Sequence, residues 1–236
     1  MEAVARPLYL QVREALTARI ADGEWKAGEA LPSEFALAAQ MGVSQGTVRK
    51  ALDAMAADNL LERRQGRGTF VPEQTEARSL FHFFRMQDAA GAPVVPTTLR
   101  HAIERIQAPA DVARTLDTGR RQVWRIQRLR AVGGRPAIIE HIYLDPQRFP
   151  GLGPDTALPN ALYGYYQSAA GVTVARAEDS LSAVAAAPDQ AAQLGIAPGA
   201  PLLRAHRVAR DLRGTAVELR QSWFETSFQH YQVALN

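Results

Sequence analysis

The sequence predicts an α+β chain in two parts, three helices and a β-hairpin followed by an antiparallel sheet with short helices. Three observations predict it. Leu8, Val12, Leu16 and Ile20 recur every four residues until Gly23 stops the run. Beyond residue 80, long alternating runs of apolar and polar residues dominate. The segments joining those runs are mostly too short for the crossover that a parallel pair of strands needs.

The elements follow in order. Pro7 suits the first turn of the first helix. Ser33 can cap a second helix that runs through Phe35, Leu37 and Ala38 to Gly42. Ser44 can cap a third, reaching about Asp58. Short β-like runs at 60–63 and 68–71 flank Gln65-Gly66-Arg67 and predict a hairpin. The apolar pattern lapses over the next few residues, which gives a first domain at 1–72, a linker at 73–80 and a second domain at 81–236. Strands are expected near 98–106, 122–132, 137–144, 173–184, 202–210 and 215–226, with helices near 110–117, 160–169 and 189–194.

Composition excludes several classes. The 236 residues are 47% hydrophobic and 22% charged, close to the globular average, so disorder and collagen-like repeats are ruled out. The absence of cysteine removes disulfide scaffolds, thiol nucleophiles and thiolate zinc sites. The five histidines show no metal-ligand spacing, so no metal and no cofactor is expected. There is no phosphate-cradling G-x-x-x-x-G-K-[ST] loop and no G-x-S-x-G elbow. No run of apolar residues is long enough for a membrane helix, and Met1–Leu10 lacks the plan of a signal peptide, so a cytoplasmic protein is expected.

On a helical wheel the third helix separates into two arcs. Val48, Ala51, Leu52 and Met55 form one; Gln45, Gly46, Arg49, Lys50 and Asp53 form the other. A polar arc can simply be solvated. Here it is small near the helix start, as a helix entering the major groove of double-stranded DNA requires. Gly46 permits close approach, Arg49 can fork onto guanine, Gln45 can read adenine, and Ser44 with the free N–H groups can hold a phosphate. The hairpin tip places Arg64, Gly66, Arg67 and Gly68 where phosphates or the minor groove could be met. Net charge does not point there, since residues 1–74 hold nine Lys/Arg against ten Asp/Glu. The five cations Arg49, Lys50, Arg63, Arg64 and Arg67 are nevertheless concentrated on the third helix and the hairpin.

Leu31-Pro32-Ser33-Glu34, then 43–52 as Val-Ser-Gln-Gly-Thr-Val-Arg-Lys-Ala-Leu, then Gly66-Arg67-Gly68-Thr69-Phe70-Val71, resembles the winged-helix domain of the GntR family of bacterial transcription regulators. The resemblance implies DNA contacts from Ser33, Ser44, Gln45, Gly46, Thr47, Arg49, Lys50, Arg64, Gly66, Arg67 and Gly68. Two positions depart from the family, which usually carries arginine where this chain has Gln45, and often where it has Phe35.

In the second part, period-two spacing puts Trp124, Ile126, Arg128, Arg130 and Val132 on one strand face. Ile138, Glu140, Ile142 and Leu144 share another, and so do Glu218, Arg220, Ser222 and Phe224, with Val217, Leu219 and Trp223 opposite. Arginines on an apolar face need an anionic partner. That partner is either a bound anionic, hydroxyl-rich metabolite or an internal carboxylate such as Glu140 or Glu218.

Arg128-Leu129-Arg130, Pro136, Glu140, Tyr143, Leu162-Tyr163, Leu194-Gly195-Ile196, Pro201-Leu202-Leu203 and Val217-Glu218 resemble the effector-binding UTRA domain of the HutC subfamily. That resemblance implies an antiparallel sheet of the chorismate-lyase kind and an effector site at Arg128, Arg130, Glu140, Asn160, Tyr163, Glu218, Ser222 and Phe224. Arg85, after Phe81-His82-Phe83-Phe84, is expected to close over it. Ala161 stands where sugar-phosphate binders of the subfamily use serine, and Phe224 where they often use tyrosine, which favours a carboxylate or another anion.

The combined expectation is a homodimeric repressor on a palindromic operator, modulated by a small anionic metabolite. The rivals are a lyase acting on a cyclic carboxylate such as chorismate and a nonspecific architectural DNA binder.

Overall fold

A computed structural model describes residues 6–75, 84–119 and 121–233. The chain divides into two compact units, Met1–Gln74 with Leu212–Gly214, and Thr75–Asp211 with Thr215–Asn236. Phe81, His82 and Phe83, and most of the expected linker, lie outside the described residues.

The first unit holds helices α1 (Leu8–Ala21), α2 (Glu34–Met41) and α3 (Gln45–Ala57), and a hairpin of β1 (Glu62–Arg64) and β2 (Gly68–Phe70). Both predicted serine caps form: Ser33 Oγ accepts from the Ala36 N–H and Ser44 Oγ from the Thr47 N–H, each at 3.2 Å. Val12, Leu16 and Ile20 of α1 meet Leu37 of α2 and Val48, Ala51, Leu52 and Met55 of α3 in one core. Leu8 shares the spacing of α1 but is half-exposed, being the first residue of the helix and beyond its last buried position. Phe35 is the larger departure, because it lies 75% exposed on the outer side of α2. In the hairpin turn, Arg67 N–H donates to Arg64 O, and Gly66 (φ +66°) and Gly68 (φ +114°) take backbone angles that side chains oppose.

The second unit is built on a six-stranded antiparallel sheet. Its strands are β4 (Thr97–Gln107), β5 (Gln122–Val132), β6 (Arg135–Leu144), β7 (Val174–Ala185), β8 (Pro201–Asp211) and β9 (Ala216–Glu225), in the order β4-β5-β6-β9-β8-β7. All six were expected within a residue or two. Helices α4 (Ala110–Thr115), α5 (Leu162–Ala170) and α6 (Pro188–Leu194) flank it. A pair of three-residue strands, β3 (Met86–Asp88) and β10 (Gln229–Tyr231), was not expected. No periodicity exists in three residues, and their partners lie more than a hundred positions apart in the chain.

These pieces cover the sheet on both faces. On one, α5 packs Leu162, Tyr163 and Tyr166 onto Ile126, Ile142 and Leu144. On the same face, Met86 meets Ile138, Ala205 and Phe224. Behind the sheet, α4 covers Val123, Tyr143 and Leu219, and α6 covers Leu129, Ile139 and Leu202. Val217 corrects the alternation. It packs with Ile142 and Tyr166 on the Glu218 side, not behind the sheet with Leu219. The cause is a bulge: Ala209 opposes Glu218 while Arg210 opposes Ala216, so Val217 is an extra residue. No helix of the described residues is long and apolar enough to cross a membrane.

Leu37 is fully buried at the meeting of the three helices. Leu37→Ala is expected to lower stability by about 2–5 kcal/mol, read as a lower urea midpoint by circular dichroism.

Candidate functional sites

In the first unit, a single carboxylate organises the polar arc. Glu34, at the start of α2, accepts from Arg49 Nε at 2.9 Å, from Arg63 Nη1 at 3.1 Å and from Gln45 Nε2 at 3.4 Å. Arg63 also reaches Asp53 at 2.8 Å. Partial burial pushes the Glu34 carboxyl upward, but the donors from Arg49, Arg63 and Gln45 outweigh it and the net shift is downward. Glu34 therefore ties the start of α2 to the exposed side of α3 and to the hairpin. Among the described residues only Nε of the Arg49 side chain is engaged, and its two Nη groups lie at the end of a side chain that is 59% exposed.

The other expected DNA-facing residues fall into two groups. Ser44, Gln45, Gly46 and Arg67 are exposed. A Cβ on Gly46 would meet only Ser44 Oγ, at 3.8 Å, so nothing within the unit requires glycine there. The Arg67 side chain makes no hydrogen bond or ion pair among the described residues. Ser33 and Thr47 serve first as parts of helix caps. Lys50 and Arg64 turn onto their own unit: Lys50 Nζ lies 4.4 Å from the Tyr9 ring centroid, and Arg64 lies 4.3 Å from that of Phe70 while pairing with Glu62.

In the second unit, register assembles a charged seam between the two apolar patches on one face of the sheet. Glu140 on β6 opposes Arg128 on β5 and Ser222 on β9. One row along, Arg220 opposes Arg207, which opposes Asp179 on β7. Facing arginines would repel, and each is matched by its own carboxylate. Arg207 grips Asp179 through two bonds of 2.7 Å, and Tyr231 donates to the same carboxylate at 2.7 Å. Arg220 donates twice to Glu218, at 3.0 and 2.7 Å, and reaches Glu140 at 3.3 Å. Tyr166 and Tyr163 from α5 complete Glu218, at 2.6 and 3.2 Å.

Glu140 is the centre of the seam. Arg128 reaches it at 2.6 Å, and Arg130 lies 3.7 Å away. Asn160 holds both arginines from the far side, its backbone oxygen taking Arg128 at 3.1 Å and its side-chain oxygen Arg130 at 2.7 Å. Burial alone would raise the Glu140 carboxyl; the guanidiniums of Arg128, Arg130 and Arg220 hold it far below the usual carboxylate range instead. Burial, reinforced by Glu218, pushes the Tyr163 phenol up to about 12.

A small cleft of about 20 Å³ opens onto this seam, and its lining includes Glu140, Asp179, Arg207, Arg220, Ser222 and Phe224. Arg85, exposed, stands at its edge with Phe84 and Tyr231. Of the nine expected effector residues, Glu140, Ser222, Phe224 and Arg85 line the cleft. Arg128, Arg130, Asn160, Tyr163 and Glu218 stand behind and hold the lining in place. The internal carboxylate reading of the arginines is therefore realised in the fold. Sequence reasoning missed Asp179, Arg207, Tyr166 and Tyr231. Asp179 and Arg207 sit at in-facing positions of neighbouring strands, but the pairing of β7 with β8 was needed to connect them.

Comparison with known proteins agrees with this geometry. The model of the bacterial regulatory proteins of the gntR family matches residues 8–71, and that of the UTRA domain matches 92–229. The HTH-type transcriptional regulator SmoD of Agrobacterium fabrum is 31% identical over 95% of this chain and 94% of its own length. The HTH-type transcriptional repressor NagR of Bacillus subtilis is 30% identical over 98% of this chain and 96% of its own. The crystal structure of the ligand-binding domain of a GntR-family regulator from Bordetella bronchiseptica superposes with a TM-score of 0.59 at 31% identity, covering 64% of this chain and 96% of that one. A DNA-reading winged helix and a covered antiparallel sheet with a polar cleft define a one-component transcription regulator. The chain belongs to the GntR family, in its UTRA-bearing HutC branch, and is a DNA-binding regulator and not an enzyme.

Glu140→Gln leaves three guanidiniums around a neutral amide and is expected to cost about 3–5 kcal/mol at neutral pH. Because the carboxyl is depressed in the folded state, its contribution is full above the ordinary value of 4.5 and is lost as pH falls below it. Urea titrations at pH 7 and at pH 3.5 check this: the gap between wild type and variant should narrow at the lower pH, and an unchanged gap would contradict it.

Proposed function

We propose that the chain is a homodimeric repressor that reads a palindromic operator with α3 and the hairpin, and that a small anionic metabolite bound at the Glu140 cleft alters that binding. One observation carries the ligand class. Among the described residues the seam holds four arginines (Arg128, Arg130, Arg207 and Arg220) and three carboxylates, Glu140, Glu218 and Asp179, with Arg85 at the edge adding further positive charge. A buried surplus of cation favours an incoming anion. Ser222, Tyr231 and the carboxylates supply partners for hydroxyl groups. The cleft has room for about one water, so a metabolite enters by displacing part of the contact between the lining and β3–β10. Closure over a ligand is thus tied to a rearrangement of the unit, which is what a sensor needs.

The name of one relative fits a carboxylate-bearing polyol. It is the mannosyl-D-glycerate transport/metabolism system repressor MngR of Escherichia coli, 28% identical over 94% of this chain. Dimerisation would set two α3 helices one turn of DNA apart, ~34 Å, in successive major grooves. Such a protein works in the cytoplasm, where the DNA is.

A thermal-shift screen of sugar acids and hydroxy acids tests the ligand class. A true ligand at 100 times its Kd should stabilise by ~2.7 kcal/mol, and Arg85→Ala should weaken it about tenfold. A panel of neutral sugars that stabilises where every acid fails would overturn the anionic reading. On the DNA side, Arg49→Ala is expected to cost about 1–3 kcal/mol and relax one operator position, while Arg67→Ala should weaken all sequences alike and reduce the salt slope by about one. Anisotropy titrations at several salt concentrations separate the two.

A further inference from the structure

The first unit presents two uncharged side chains, Phe35 and Gln45, near the cations of α3 and the hairpin, and both have the chemistry of A·T recognition. Phe35 is 75% exposed at the first turn of α2, on the side of the helix opposite the buried Leu37. It follows Glu34, whose carboxylate reaches Gln45, Arg49 and Arg63. Phe35 is thus the next residue along α2 after the carboxylate that meets the start of α3, where the recognition arc begins.

Gln45 is oriented by the same contact. An ionised carboxylate only accepts hydrogen bonds, so the Gln45 amide must turn its nitrogen toward Glu34. That leaves the carbonyl oxygen and the second N–H available as an acceptor–donor pair. Adenine offers the complement in the major groove, donating from N6 and accepting at N7. Its partner thymine offers a methyl group, which an apolar side chain such as Phe can cover. One residue pair thus matches both halves of one kind of base pair, and no cation is involved.

We propose that Phe35 and Gln45 are specificity-determining residues that select A·T pairs at adjoining operator positions, Phe35 through thymine methyl groups and Gln45 through adenine. Glu34 is the positioning residue that fixes the amide. This rests on the reading of α3 as the operator-reading helix.

The test starts with the full chain selecting duplexes from a randomised pool. Anisotropy then compares the selected duplex with copies in which single thymines are replaced by uracil, which lacks the methyl group. At one position, wild type should lose about fourfold in affinity, the worth of one buried methyl. Phe35→Ala should bind the thymine and uracil duplexes equally. Phe35→Arg should bind both more tightly with a steeper salt dependence, again without discriminating. Gln45→Ala should accept any base pair where wild type requires A·T, and Glu34→Gln should weaken that preference. Equal binding of thymine and uracil duplexes by wild type, or discrimination that survives in Phe35→Ala, would overturn the role of Phe35. A selected site with G·C opposite Gln45 would overturn that of Gln45. A wild-type chain that selects no sequence at all would instead sink the operator-reading assignment itself.

Discussion

Glu140 is the constraint on which the second unit depends. A carboxylate buried in the middle of a sheet is tolerable only if its charge is met, and three guanidiniums from two neighbouring strands meet it. Those guanidiniums must then be held. Asn160, ahead of α5, takes Arg128 and Arg130, while Glu218 takes Arg220 and is itself completed by two tyrosines of α5. The position of α5 and the register of β5, β6 and β9 therefore answer to one electrostatic requirement. Apolar residues of equal size would satisfy the sheet as well or better. What the ion network adds is a polar surface at the one place where the covering layer changes from helix to short strands.

The first unit uses the same device at the surface. Glu34 gathers Arg49, Arg63 and Gln45, so that α2, α3 and the hairpin share one polar junction. Exposed ion pairs of this kind contribute little stability. Their value is positional, since they limit where Arg49 and Gln45 can point before any partner arrives and so reduce the ordering that binding must impose.

Most of the fold was legible because its signals are local. Ser33 and Ser44 cap helices by hydrogen bonds three residues long, and the face of each long strand follows from counting by two. The exceptions have physical causes. Val217 changed sides because a bulge depends on the partner strand, which the residue's own neighbours do not record. The β3–β10 pair was invisible because three residues carry no period and their partners are remote in sequence. The sites show the same division. Arg128, Arg130, Glu140 and Glu218 could be grouped from strand faces alone. Which of them line the cleft and which stand behind it depended on α5 and β3–β10. Lys50 and Arg64 look identical in sequence to free cations, yet Tyr9, Phe70 and Glu62 occupy them.

The central claim is that occupancy of the Glu140 cleft and operator binding are linked in one chain. Linkage must be reciprocal. The direct measurement is a pair of titrations with an acid that stabilises the chain: operator affinity with and without saturating acid, and acid affinity with and without saturating operator. The account predicts the same factor in both, about 5- to 150-fold. Saturating acid that leaves operator affinity unchanged, with operator leaving acid affinity unchanged, would contradict it.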